Sequence, residues 1–302
     1  MISHDSLHGI ITLFSTPVQK EHIGIDWKLS TSIEGKVSRC AFLEVGDKTY
    51  TIKCAQKGQE DFFREDLERH QWLSQKIDEI PKILISEVQS ITPFCLQEYI
   101  SGVPVNDFTG TLQWRSLVEN LIKIHTIRPS SNSWGYPSLE NRSEGKLSSF
   151  ADLVQKKEIE PIMNTVHLNS NEKDELVDCV TSYKKYYSDG GARSCLVHGD
   201  CHEGNMIVDE KGIITLIDFG NVIYLTPEHD IARIKTQKYF QDNPDTVTQI
   251  ISIYESNSGK KLNQNLINFF LTTRLAYQIR KPISEERTQK SWKMLRDIQA
   301  QF

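Results

Sequence analysis

The chain has 302 residues, with 35 Lys and Arg against 40 Asp and Glu, a formal net charge of −5 and 38% hydrophobic residues. A mildly acidic chain with no run of more than two adjacent basic residues lacks the footprint of a polyanion binder, which excludes a nucleic-acid partner. No apolar run approaches the roughly 18 residues of a membrane helix, and Met1-Ile-Ser-His-Asp-Ser lacks the basic and apolar regions of a signal peptide, so a cytoplasmic location with no membrane partner is expected.

In chain order, alternating or β-branched residues over 26–33, 37–45 and 48–54, punctuated by Gly35 and Gly46-Asp47, predict strands. The pattern changes to helix from Glu60 to Ile77, ahead of Pro81, and returns to strand over 83–87 and 94–100. Beyond Gly102 and Pro104 the chain turns mainly helical. Trp114, Leu117, Leu121, Ile124 and His125 share one face, and the segments 150–164, 172–187, 243–256 and 263–280 repeat that periodicity. A strand-rich island interrupts them from Leu196 to Tyr224, with a turn at Lys211-Gly212. The organisation expected is α+β, with a small domain over 1–97 and a larger helical domain over 98–302.

Six cysteines, at 40, 54, 95, 179, 195 and 201, show no framework spacing and read as free thiols. Cys195, His198, Cys201 and His202 could be written as a zinc set, but no second C-x-x-C pair follows. The same residues fit a more demanding pattern.

That pattern is Leu196-Val-His-Gly-Asp-Cys-His-Glu-Gly-Asn205, then apolar residues to Ile217, then Asp218-Phe-Gly220. Met206–Val208 and 213–217 read as two strands joined by Asp209-Glu-Lys-Gly212, a hairpin whose open end brings Asn205 beside Asp218. An amide oxygen and a carboxylate are hard ligands suited to Mg²⁺, an ion that commonly completes its shell with substrate phosphates. Asp200, five residues before Asn205, is placed to accept a hydroxyl proton while phosphoryl charge is neutralised nearby. D-x-x-x-x-N followed by D-F-G is the catalytic-loop and metal-loop arrangement of kinase-like phosphotransferases.

The string H-G-D-x-H-x-x-N, with its downstream I-D-F-G and a further Asp230, resembles the aminoglycoside phosphotransferase and choline-kinase-like superfamily. The resemblance implies a two-lobed protein-kinase-like fold, with a small antiparallel-sheet N-lobe and a larger mainly helical C-lobe. It also implies an ATP- or GTP-dependent small-molecule kinase. Against protein kinases, Gly199 replaces an Arg, His202 replaces a Lys, only eleven residues separate Asp218 from Asp230, and no A-P-E follows. That leaves no room for a peptide-docking activation segment. His202 is a candidate for contacting the transferring phosphate, and Asp230 is expected to be structural.

For the nucleotide, the resemblance places the phosphate-binding lysine at Lys53. Its acidic partner is open: helical phase with Phe62, Leu73 and Ile77 favours Asp66, and residue type in the family favours Glu65. The loop 32–38 is expected to cover the phosphates, with Gly35 allowing close backbone approach and Ser38 donating. The segment Phe94–Gly102 resembles the family's interlobe connection, which implies adenine contacts from the backbones of Gln97 and Tyr99.

Trp134, Tyr136, Glu140, Glu144, Trp292 and Glu285-Glu286 are candidates for holding a cationic or sugar-like hydroxyl acceptor. The substrate expected from the resemblance is an aminoglycoside-type antibiotic. The alternatives are a metabolic acceptor of choline, homoserine or sugar type, or a catalytically silent nucleotide scaffold. Charge adds one restraint: residues 1–100 carry a net −4 and the remainder only −1, so the acidity is not in the domain expected to receive the acceptor. A polycationic acceptor would be drawn to a negative cleft. The oligomeric state is not legible.

Overall fold

The computed structural model describes residues 22–23, 27–34, 37–138, 140–188, 192–282 and 284–300. The chain divides into two compact units, one of residues 1–102 with 217–220 and one of residues 103–216 with 221–302.

The first unit is built on strands β1 (His22–Ile23), β2 (Trp27–Glu34), β3 (Ser38–Val45), β4 (Lys48–Ala55), β5 (Ile83–Glu87) and β6 (Phe94–Glu98), with helix α1 (Glu60–Ser74) between β4 and β5. They form an antiparallel sheet in the order β1-β2-β3-β4-β6-β5. The β3–β4 hairpin closes with Val45 opposite Lys48 across a two-residue turn, where Gly46 supplies the positive φ (+61°) that its first position needs. Strand alternation sends Leu29, Ala41, Leu43, Ile52, Cys54 and Leu96 into one apolar cluster. Ala55 and Cys95 pack instead with Phe63 and Leu67 of α1.

The periodicity reading of this unit is off at element ends and in the phase of α1, where Phe62 is exposed and Phe63, Leu67, His70 and Leu73 form the buried face. Helix α1 stops at Ser74 rather than Ile77, because the Leu73 carbonyl accepts from both Lys76 N–H (2.8 Å) and Ile77 N–H (3.1 Å), a tightened last turn. Ile77 is nevertheless buried, which explains its helical phase in the sequence.

The second unit carries β7 (Val103–Pro104), α2 (Trp114–Thr126), β8 (Trp134–Pro137), β9 (Gly145–Leu147), α3 (Phe150–Val154), α4 (Glu160–Met163), α5 (Ser170–Thr181) and α6 (Lys184–Ser188). It continues with β10 (Cys195–Val197), β11 (Met206–Val208), β12 (Ile214–Leu216), β13 (Ile223–Leu225), α7 (Glu228–Lys235), α8 (Lys238–Asp242), α9 (Pro244–Ser258), α10 (Gln264–Arg280) and α11 (Glu285–Gln299). Two small sheets, β10-β13-β8-β9 and β12-β11-β7, hold the strand-rich island. A π-helical turn, Gln155–Ile159, joins α3 to α4, so the helical pattern over 150–164 is one run with an extra residue wound into it.

Helix α11 was not legible as periodicity because its buried seam is thin, with Ser291 and Leu295 as its buried residues; Ser284 caps it by accepting from Arg287 N–H. No helix among the described residues is long and apolar enough to cross a membrane.

Candidate active site

The strongest sequence motif leaves β10 at His198 and re-enters a strand at Met206. Between them the backbone turns sharply at Gly199, with φ at +82°, and a Cβ there would stand 2.1 Å from the Asn221 carbonyl oxygen. Gly199→Ala is therefore expected to destabilise the protein by about 1–3 kcal/mol. A urea-unfolding midpoint unchanged by the substitution would contradict that.

Asp230, near the start of α7, fixes this loop from below. Its side chain is fully buried and accepts from His198 N–H (2.8 Å), Gly199 N–H (3.0 Å) and His125 Nε2 (3.1 Å). His125 Nδ1 in turn lies 2.9 Å from the Tyr254 hydroxyl. Burial works to raise the Asp230 carboxyl's pKa, but the His125 and His229 contacts override it and hold the group ionised far below the usual carboxylate range. The structural role read for Asp230 thus takes the form of an anion capping two loop amides.

Asp200 lies above this anchor. Its Oδ1 accepts from Arg233 through both Nε (3.1 Å) and Nη2 (2.6 Å), and its Oδ2 is 3.6 Å from His202 Nε2. Burial would raise its pKa, yet His202 and Arg233 hold it well below the ordinary carboxylate range. His202 Nδ1 accepts from Gly204 N–H (3.1 Å), capping the short 3-10 turn Glu203–Asn205. Asn205 donates its amide to the Asp200 backbone carbonyl (3.0 Å), which turns its Oδ1 away from that bond. The following hairpin pairs Met206 with Leu216 and Val208 with Ile214.

In the first unit, Lys53 on β4 meets Asp218 at 3.0 Å. Burial would lower the lysine's pKa, and the Asp218 carboxylate outweighs it and holds the ammonium above its ordinary value. Asp218 has φ at +66°, the one positive-φ residue other than glycine among the described residues, and such strain gathers at functional sites.

Glu65 and Asp66 both form ion pairs with Arg69 of the same helix, at 3.1 Å for Glu65. Arg69 Nε also donates to the Gly220 carbonyl (2.5 Å), and Phe219 packs edge-on to His70 at 5.8 Å between centroids. Both acidic candidates thus engage Arg69, which reaches Gly220, and Asp66 also lies directly against Gly220. Sequence reading missed Arg69: an arginine on a charged amphipathic helix looks solvated, although it stands three residues from Asp66 and four from Glu65 and is buried.

Of the remaining candidates, Gly35 lies outside the described residues, and Ser38 begins β3 opposite Ala55. Gln97 lies within β6, opposite Thr51 on one side and Ile83 on the other. Tyr99 follows the strand's end and packs edge-on to Phe42 at 5.3 Å.

Trp134 is a core residue, stacked on Phe150 at 4.4 Å, and Glu144 is tied to Ser131 and Ser133. Burial pushes the Cys195 thiol up to about 12 and Cys201 well above its ordinary value, so both are protonated, inert core residues.

A model of the phosphotransferase enzyme family matches residues 33–256, and the chain belongs to that family. Among solved structures, the choline kinase LicA from Streptococcus pneumoniae superposes with a TM-score of 0.64 at 17% identity, covering 99% of this chain and 100% of that one. The aminoglycoside phosphotransferase APH(4)-Ia gives 0.62 at 15% identity, covering 99% and 98%. The aminoglycoside phosphotransferase APH(3'')-Id from Streptomyces rimosus gives 0.58 at 16% identity, covering 91% and 98%.

No curated protein sequence matches. The chain thus has the α+β, two-lobed protein-kinase-like fold, and it is a small-molecule phosphotransferase.

Proposed function

We propose that the chain transfers the γ-phosphoryl group of ATP or GTP to an alcohol of a small molecule, with Asp200 facing the acceptor hydroxyl and Lys53 holding the nucleotide's phosphates. The observation that carries this reading is the Asp200 environment: a carboxylate on a loop clamped by a buried anion, with its own charge secured by Arg233 and His202. In the transfer, the acceptor oxygen bonds to the γ-phosphorus as the bond from that phosphorus to the β–γ bridging oxygen breaks. The nucleoside diphosphate leaves with the electron pair, and the hydroxyl proton passes to Asp200.

Because Asp200 is held far below neutral pKa, it is a weak base. Its contribution is chiefly to orient the hydroxyl and take the proton late, which suits a loose phosphoryl-transfer transition state. His202, bonded through Nδ1, offers Nε2 on the Asp200 side for the transferring phosphate.

Asn205 Oδ1 and the Asp218 carboxylate are hard oxygen donors of the kind Mg²⁺ takes, and the Asn205 amide bond to Asp200 orients the oxygen as an acceptor. Bound there, the ion would neutralise charge on the β- and γ-phosphates. Lys53→Met is expected to raise the nucleotide KM at least about tenfold, since hydrogen bonds to charged groups contribute about 1.5–3 kcal/mol. Unchanged nucleotide affinity would remove Lys53 from the site. Of the two residues expected to contact adenine, Gln97 is flanked by strand partners on both sides, which favours the Tyr99 backbone beyond the strand's end, and phosphate cover falls to the segment holding Gly35 and Ser38.

APH(4)-Ia and LicA are named for cationic substrates. Here Asp200 has an arginine as its immediate neighbour, and that observation favours a metabolic acceptor without a positive charge over both an aminoglycoside-type antibiotic and choline. An acceptor panel monitored by nucleoside diphosphate release tests this. Aminoglycoside-dependent turnover exceeding that with every metabolic alcohol would reverse it.

A further inference from the structure

Arg233 belongs to a larger group of cations that phosphoryl transfer itself does not require. Besides bonding Asp200, it lines a cavity of about 150 Å³ together with Arg274 and Arg280 of α10, and Lys157 and Glu158 of the π-helical turn. Tyr277 stands between the α10 cations, with the Arg274 and Arg280 guanidinium carbons 5.1 and 5.7 Å from its ring centre. The extra residue of the π-helical turn brings Lys157 and Glu158 to the same wall, and such turns recur at functional sites.

The cations outnumber the carboxylates, since among the described residues Glu158 is the one carboxylate in the cavity wall beside Lys157, Arg233, Arg274 and Arg280. Asp200 is already engaged by Arg233. Burial pushes the Glu158 carboxyl up to about 8 in spite of Arg280, Lys157 and Arg274, so it is mostly protonated at neutral pH. Burial, with Arg233 close by, lowers the Arg274 guanidinium to about 10.

Three buried nitrogens, Arg233 Nη1, Arg274 Nε and Arg280 Nε, carry no hydrogen-bond partner among the described residues. Unpaired buried donors on crowded like charges cost stability, and a bound anion is one partner that would satisfy them. The guanidinium fork is matched to carboxylate and phosphate oxygens.

We propose that this cavity is the acceptor's anchoring subsite and that it takes an oxyanion: the substrate is a small alcohol bearing a carboxylate or phosphate, held by Arg233, Arg274 and Arg280 with its hydroxyl at Asp200. The proposal rests on the reading of Asp200 given above and specifies the substrate class for that site. It runs opposite to the cationic acceptors after which the structural neighbours are named. Arg233 couples the two functions, since one guanidinium touches both the orienting carboxylate and the anchoring cavity.

The test uses the full chain saturated with Mg²⁺ and AMP-PNP and titrated calorimetrically with inorganic phosphate, which reads the cavity without chemistry. Phosphate is expected to bind, with affinity falling at least about tenfold in Arg274→Gln/Arg280→Gln and recovering in part in the double Lys variant. Arg280→Gln alone is the fallback if the double variant melts early.

In turnover assays, glycerate and glycerol 3-phosphate separate the carboxylate from the phosphate source, with choline and kanamycin as cationic controls. For the preferred anion, the variant should raise KM at least about tenfold with a smaller change in kcat. Phosphate affinity indifferent to the arginines, or turnover of cationic alcohols above anionic ones, would overturn the proposal. Phosphate binding that depends on the arginines, with no transfer to any alcohol, would sink the reading of Asp200 while upholding the oxyanion site.

Discussion

Asp200→Asn is expected to lower turnover by about 10²–10⁴-fold, the range a positioned acid–base group contributes, while nucleotide binding is retained. The asymmetry follows from where the residue sits. Asp200 is fixed by Arg233 and His202, and its backbone carbonyl by Asn205, whereas Lys53 and Asp218 form their own ion pair on other elements. Asparagine preserves shape but cannot accept a proton, and it leaves the Arg233 fork without a carboxylate. Steady-state kinetics with a separate nucleotide-binding titration checks this: a fall in kcat with an unchanged nucleotide Kd supports the assignment, and a variant with near-normal kcat defeats it.

Asp230→Ala is expected to cost about 3–5 kcal/mol, as removal of one partner from a buried charged network typically does. The carboxylate is fully buried, and without it His198 N–H, Gly199 N–H and the His125 ring each lose their acceptor in the interior. Activity should fall as well, because the loop carrying Asp200 is what those amides anchor.

The same carboxylate predicts acid sensitivity. Its folded-state pKa is depressed, so its stabilisation is complete above the unfolded value of about 4 and is lost progressively as pH falls below that toward the folded pKa. Urea unfolding from pH 7 to pH 3 should show the wild type losing stability that the Ala variant lacks throughout. A variant within about 1 kcal/mol of wild type at pH 7 would contradict the anchoring role.

The legible parts of this molecule are those in which one residue type answers one local demand. Alternation over 38–45 and 48–55 needs only period-two burial, and Gly46 needs only its turn. The D-x-x-x-x-N and D-F-G strings were visible because phosphoryl transfer restricts their residue types.

The arginines were not legible. Arg69 and Arg233 sit on helices where a cation normally faces water, and only packing against Gly220 and Asp200 gives them work. Arg274, Arg280 and Lys157 are brought together by α10 and a π-helical turn, an irregularity that periodicity cannot register. Conversely, Trp134 fits an acceptor-binding role by type alone, and its stacking on Phe150 makes it core. The charge count, which placed no excess acidity beyond residue 100, could not register the local gathering of arginines.

Asp200 is proposed to direct a phosphoryl group onto an alcohol oxygen. Phosphorus NMR of the full chain with Mg²⁺, ATP and an anionic alcohol such as glycerate or glycerol 3-phosphate tests it most directly. A new phosphate monoester resonance is expected to grow in step with nucleoside diphosphate and to disappear in Asp200→Asn. An ester formed at equal rate by that variant, or bound nucleotide that yields no ester with any alcohol, would contradict it.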